Sequence, residues 1–393
     1  MAKVRQAGLV LLALLAAAVP GAVPADSPPF SPAPPREVEA IPVALLHDLG
    51  SGRALLAHNA DLRFVPASMA KVMTAYVAFE LIARGQLSPD QKFRVAAGMS
   101  ARFDASGSSM DLKDGEEVSV DRLLQGLLTV SANDAAEVIA EGYSGSVPAW
   151  CALMNAEARR LGLKDSHFAT PNGWPDGGKT YVSARDLVRL GEALIYRHPA
   201  LYRRYFGQMS LELARGEGRN FDPVTGVVAG ADGMKTGHTA EAGYNFLGSA
   251  ERDGRRLMMV VAGATSIEER AAASRTLLEW GFAQWSAQLL FAAGAKVADA
   301  QVQNGAARRV ALVAPYAIHA VQPRGVEKGK SPALRLIYQG PLVAPIVKGQ
   351  KFAELEISMP DQTSSRVPLY AAENIALAGP LDRLGNGLAG LLP

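Results

Sequence analysis

A single cysteine, Cys151, stands in the 393-residue chain. One thiol cannot close an internal disulfide, so cysteine usage says nothing about redox compartment, and Cys151 reads as a packed apolar side chain. Histidine is scarce as well. The six are scattered, with no His-Glu-x-x-His or Cys/His spacing, so no metal and no cofactor is expected. Charge of one sign is also missing: 40 Lys and Arg face 38 Asp and Glu, a net +2, with no basic run longer than two. Such a surface carries no field for a polyanion, which excludes nucleic acid as an expected partner. Long apolar runs are absent too. Residues 7–19 fall short of the ~20 that a spanning helix needs.

That short run has a context. Lys3 and Arg5 precede it and small residues ending Val23-Pro24-Ala25 follow, which predicts a signal peptide over 1–25, cleaved after Ala25, and an exported mature chain. Residues 26–36 hold Pro28, Pro29, Pro32, Pro34 and Pro35, an extended tether that belongs to neither domain. The whole chain is 49% hydrophobic, enough for two domains.

Strand signals at 41–47 and 53–58, with Gly50-Ser51-Gly52 as the turn, form a hairpin that leads into the stretch 65–71. From there Met69, Val72, Met73, Tyr76, Val77 and Ile82 continue a buried helix to a stop at Gly85. Leu123, Leu124, Leu127 and Leu128 recur at helical spacing until Ser131-Ala132-Asn133, whose two polar residues are expected to cap the connection to the next helix. Further helices are expected over 150–161 and 184–197, around the loop 170–178. Residues 232–237, 244–250 and 257–262 read as an antiparallel meander, and Ser266 with Glu269 as the capping box of a helix through Trp280. The fold class is therefore α/β: an antiparallel sheet with a helical block over 37–285. A smaller β-rich domain follows over 286–372, with strands at 309–313, 334–338 and 352–357. In the tail, 373–393, Leu381, Leu384, Leu388, Leu391 and Leu392 share one helical face, although glycines weaken the helix.

Three short motifs carry chemistry: Ser68-x-x-Lys71, Ser131-x-Asn133 and Lys235-Thr236-Gly237. On a helix, residues i and i+3 share a face, so Lys71 can place its amine beside the Ser68 hydroxyl and take its proton. Each motif is weak alone. In this order, at a helix start, a turn between helices and a sheet edge, they are shared by class A β-lactamases and penicillin-binding proteins.

With 232–239, 242–245 and 278–282 added, the chain resembles the low-molecular-mass penicillin-binding proteins that are serine-type D-Ala-D-Ala carboxypeptidases. The likeness covers about 38–285 and continues more loosely beyond. It implies a β-lactamase/DD-peptidase-like fold and a Ser68 acyl-enzyme, with Lys71 as base, Ser131 as proton relay and Asn133 holding the substrate amide. An extended peptide would lie along the strand at Gly237. The backbone N–H groups of Ser68 and His238 would receive the oxyanion. Lys235, Thr236, His238, Arg270 and Arg219 would surround the leaving carboxylate. Peptidoglycan stem peptides are the implied substrate and β-lactam antibiotics the implied inhibitors. A periplasmic place with peripheral inner-membrane contact through the tail follows from the same likeness. Asn172-Gly173-Trp174 departs from the His-Gly pair of many relatives. Two rivals stand beside this reading. A β-lactamase would need a water-activating glutamate, and no Glu-x-x-x-Asn arrangement lies between Asn133 and Lys235; a non-catalytic peptidoglycan-binding relative would have lost motif residues that are intact here.

Overall fold

The computed structural model describes residues 31–103, 108–326, 331–359 and 362–380. The expected leader over 1–25 and residues 381–393 of the tail, with all five of its named leucines, lie outside them. Among the described residues no helix is long and apolar enough to cross a membrane.

A five-stranded antiparallel sheet organises the first domain. Across it run Arg53–His58, Val43–Asp48, Arg255–Ala264, Gly243–Arg252 and Ala231–Thr239. Successive side chains on a strand point to opposite faces. Val43 and Leu45 thus enter the core beneath the helical block, while Ala44 and Leu46 enter a second core. The second core is closed by the helix Ile267–Gln284, through Ala273, Leu277 and Leu278. Both faces being covered, the central strand reads as an unbroken apolar run from Leu257 to Ala262, all at 1% exposure or less.

The helical block holds Lys71–Ala83, Val120–Thr129, Asn133–Ser144, Val147–Leu161 and Ala184–Arg197. Ser119, Ser146 and Ser183 cap three of these helices by accepting from the backbone N–H three residues on. The closing helix starts as expected at Ser266, whose side chain accepts from Glu269 N. The reciprocal half differs: Glu269 reaches back to Thr265, accepting from its N–H and its hydroxyl. The helix also continues past Trp280 to Gln284. Residues 31–35 of the proline-rich stretch lie against this helix, where Trp280 Nε1 donates to Ala33 O at 2.8 Å.

The second domain is β-rich. Six strands run in the order Ala333–Tyr338, Lys351–Ser358, Ser365–Ala371, Arg309–Val313, Lys296–Gln303, Leu342–Val343, and a further pair is Trp285–Phe291 with Ile318–Pro323. Its core, with Val310, Leu312, Leu355, Val367 and Leu369, is separate from the other two. The domains meet at the Gly50-Ser51-Gly52 turn. Gly50 O accepts from His319 N at 3.0 Å and Ser51 O accepts from Ser365 Oγ at 2.7 Å. A Cβ on Gly52, whose φ is +66°, would stand 2.0 Å from Arg366 O, so this turn requires glycine for close approach. Behind it Arg255 Nε meets Asp48 Oδ2 at 2.6 Å, and Arg255 Nη1 donates to Trp285 O at 2.9 Å.

Candidate active site

The chain enters the nucleophile turn under constraint. Asn245, fully buried on the sheet, donates from Nδ2 to Val65 O at 3.2 Å and accepts from Gly263 N at 2.8 Å, which ties the segment before Ser68 to two strands. Ala67 then adopts φ +50°, a left-handed conformation that costs an L-residue on the order of 1–3 kcal/mol and persists only where surroundings enforce it. Ser68 follows in a short 3-10 turn, Ala67–Ala70, and Lys71 opens the α-helix. Ser131 repeats the device with φ +62°. The residues 131 and 133 do not cap: Ala132 is the N-cap of the helix Asn133–Ser144, and no side chain caps it. The Asn133 side chain is used elsewhere.

It is used by Lys71. This amine, with no solvent exposure, lies 2.7 Å from Ser68 Oγ, 2.7 Å from Asn133 Oδ1 and 2.8 Å from Asn172 O. Both carbonyl oxygens can only accept, so a neutral Lys71 gives them its two protons and turns its lone pair to the Ser68 hydroxyl. Burial pushes the Lys71 pKa well below its ordinary value, and the positive charge of Lys235 pushes it the same way. Asp134 opposes this from behind, but its carboxylate is engaged by Ser109 Oγ and the N–H groups of Met110 and Leu112.

Asn172 is positioned by its loop. Thr74 Oγ1, one turn beyond Lys71, donates to Pro171 O at 2.6 Å, and Asn172 Oδ1 accepts from Trp174 N at 2.9 Å. A Cβ on Gly173 would lie 1.9 Å from Ala67 O. The Asn-Gly pair therefore closes the loop onto the nucleophile turn, at the place where the sequence departs from the His-Gly pair of many relatives.

Opposite stands the strand Ala231–Thr239, the last in its sheet, with one edge unpaired by any strand among the described residues. A Cβ on Gly237 would meet Pro66 O at 2.3 Å. The glycine is thus explained by the nucleophile turn pressing on the strand, and the free edge leaves room for a further strand. Lys235 is buried, and burial followed by the Arg270 charge lowers its pKa to about 7, against the pull of Asp222. His238 is exposed and stacks on Tyr244, ring centres 4.0 Å apart.

Between these walls lies a cleft of about 470 Å³ that gathers Ser68, Ser131, Asn133, Asn172, Thr236, Gly237, His238 and Arg270 around one space, with Trp174, Phe221, Tyr244 and Ile267 at its sides. Among the described residues no carboxylate lines it. Arg219 is not brought there. It sits on a hairpin, Ser210–Leu213 with Gly216–Arg219, its side chain 82% exposed and 3.7 Å from Glu217. Residues missed by sequence reasoning are Asp134, which looks like an ordinary first-turn acid, and Phe221 and Ile267, which carry no polar signal.

A family model described as D-alanyl-D-alanine carboxypeptidase matches residues 29–266, and one for the penicillin-binding protein 5 C-terminal domain matches 285–376. D-alanyl-D-alanine carboxypeptidase DacD of Salmonella typhimurium is 32% identical over 375 residues, 93% of each chain. The crystal structure of penicillin binding protein 5 from Haemophilus influenzae aligns with TM-score 0.70 at 30% identity, covering 88% of this chain and 99% of that one. Penicillin-Binding Protein D2 from Listeria monocytogenes, in its ampicillin-bound form, aligns with TM-score 0.56 at 32% identity over 62% of this chain and 97% of its own.

Proposed function

The chain belongs to the D-alanyl-D-alanine carboxypeptidase family, and from that premise we propose that it removes the terminal D-alanine of peptidoglycan stem pentapeptides through an acyl-enzyme on Ser68. The observation that carries this reading is the 2.7 Å approach of a fully buried Lys71 amine to Ser68 Oγ. Lys71 takes the hydroxyl proton as Ser68 Oγ attacks the carbonyl of the penultimate D-alanine. The N–H groups of Ser68 and His238 face the oxyanion. Asn133, with Oδ1 held by Lys71, has Nδ2 left for the substrate amide. Ser131 relays the proton to the departing amine, and water then hydrolyses the ester.

The extended peptide pairs with the free edge of Ala231–Thr239. Its carboxylate lies beside Thr236 and Arg270, with Lys235 behind them. Arg219, exposed on its hairpin, has no part in this scheme. With no carboxylate among the described residues that line the cleft to activate water, a β-lactam acylates Ser68 and leaves slowly, which separates this site from a β-lactamase. From sequence alone we place the mature protein outside the cytoplasm, in the periplasm, with its tail in peripheral contact with the inner membrane.

Mass spectrometry of a defined pentapeptide muropeptide incubated with the protein tests the scheme. One D-alanine should be lost, and Ser68→Ala should abolish both that loss and labelling by a fluorescent penicillin. D-Alanine release that persists in Ser68→Ala would remove the mechanism.

A further inference from the structure

A second cleft, of about 520 Å³, opens where the catalytic domain meets the β-rich domain, and it shares no lining residue with the first. One wall is a face of the helix Ala184–Arg197, where Arg185, Arg189, Glu192 and Tyr196 recur at the spacing of helical turns. Another comes from the β-rich domain: Arg366, Pro368 and Tyr370 alternate along the strand Ser365–Ala371, beside Lys351 and Glu354 of the neighbouring strand. Arg159 and Arg160, at the end of the helix Val147–Leu161, line it too. The two domains are tied at this place. Tyr316 Oη donates to Glu192 Oε1 at 3.1 Å, and its ring stacks on Tyr196 with centres 4.1 Å apart.

Charge sets this space apart. Six arginines and Lys351 line it against two carboxylates, Glu192 and Glu354. Four of those cations are engaged: Arg185 by Asp61, Arg160 by Glu157 and Glu80, Arg366 by Glu356, and Lys351 by Glu354. Three guanidiniums keep most of their donors. Arg159 has no side-chain partner among the described residues. Arg189 gives one N–H to Gly162 O at 2.6 Å and lies 3.7 Å from Asp186, and Arg197 stands 3.6 Å from Glu80. Burial raises the Glu192 pKa against the pull of Tyr316, Lys351 and Arg189, which weakens that carboxylate as a counter-ion.

A concave, low-dielectric site with such an excess concentrates anions. A phosphomonoester offers three oxygens and close to two charges, enough for several guanidinium forks, where a carboxylate offers two oxygens and one charge. Leu45, Val188, Tyr196 and Tyr370 add apolar surface for an organic body, and the volume suits a small ligand. We infer that this inter-domain cleft binds a phosphomonoester, held by Arg159, Arg189 and Arg197 of the catalytic domain and by Lys351 of the β-rich domain. The site is separate from the chemistry at Ser68.

Isothermal titration calorimetry of the full chain at low ionic strength, with glycerol 3-phosphate and with inorganic pyrophosphate, should show one saturable site. Arg159→Gln and Lys351→Gln change exposed side chains on different domains. Each should weaken binding by about 10-fold, the usual weight of a charge-assisted hydrogen bond, while Glu354→Gln should tighten it. Arg203→Gln, which removes an exposed charge outside the cleft, should leave it unchanged. Labelling of Ser68 by a fluorescent penicillin should be equal in all four, which shows that each is folded. Vesicles of phosphatidylcholine with phosphatidic acid separate the two sources of such a group. Competition between them and glycerol 3-phosphate, lost in Arg159→Gln, assigns the site to a lipid headgroup; no competition assigns it to a soluble ester. Absence of saturable binding by both soluble probes would overturn the site. Equal weakening in Arg203→Gln would reduce it to net charge, and citrate bound as tightly as pyrophosphate would overturn its assignment to phosphate.

Discussion

The joint between the domains and the catalytic cleft both bury charge, and they do so in opposite ways. In the joint, Asp48 has no side-chain exposure and Arg255 only 8%, yet each faces its opposite at 2.6 Å; Asp48 Oδ1 also accepts from Ser51 N, and Arg255 Nη1 donates to Trp285 O. In the cleft two lysines are buried, Lys71 and Lys235; the charge of Lys235 disfavours the cationic form of Lys71, and that of Arg270 disfavours the cationic form of Lys235. The carboxylates nearby do not pair with them: Asp134 is occupied by the 109–112 segment and Asp222 by its own turn. A buried charge with its counter-charge holds two pieces of chain together. A buried charge without one gives up its proton more readily, which is what a general base requires.

Removing each kind should therefore fail differently. Lys71→Ala removes a buried amine that has no counter-charge, so the protein should fold with a thermal midpoint no lower than the wild type. Acylation by a fluorescent penicillin should nevertheless slow by ~10²- to 10⁴-fold, the usual contribution of a positioned base. A variant that acylates at the wild-type rate would assign the proton transfer to another group. Asp48→Ala leaves Arg255 buried and unpaired, which costs roughly 3–5 kcal/mol. Denaturant unfolding should register that loss, while acylation per folded molecule should change by less than about 3-fold. Equal damage to stability and acylation would mean that the joint and the cleft are one unit.

The two regions also differ in how far the sequence announces them. Ser68, Lys71, Ser131, Asn133 and Lys235 are legible because helix and strand periodicity fixes which residues share a face, and the helix over 184–197 is bounded by Ser183 as cap. The joint is not legible: Gly50-Ser51-Gly52 reads as a hairpin turn whether it meets solvent or, as here, the strands of another domain. Several strands of the second domain, Trp285–Phe291, Ile318–Pro323 and Ser365–Ala371, also escape, because Gln288, His319, Gln322 and Pro368 interrupt their apolar patterns. The hairpin that displaces Arg219 is two four-residue strands, too short for a period to show. Within the cleft, the contribution of Asn172 to Lys71 is a backbone carbonyl, and no side-chain motif encodes that.

The pH dependence of turnover gives the smallest effect and the closest comparison of the two lysines. Both are cations when protonated, and burial lowers both pKa values. Their roles set opposite signs. Lys71 must lose its proton to act, so kcat/KM rises as pH passes upward through its depressed value. Lys235 must keep its proton to attract the leaving carboxylate, so kcat/KM falls as pH passes upward through about 7. The profile for a peptide ending in a free carboxylate should be a bell, with about tenfold lost per pH unit on each limb where one proton controls it. Two changes should remove the alkaline limb alone. A peptide ending in D-Ala-D-Ala amide has no carboxylate for Lys235 to hold, and Lys235→Arg carries a guanidinium that stays charged. If both retain the limb with its midpoint near 7, another group titrates there, and Lys235 does not act on the carboxylate through its charge.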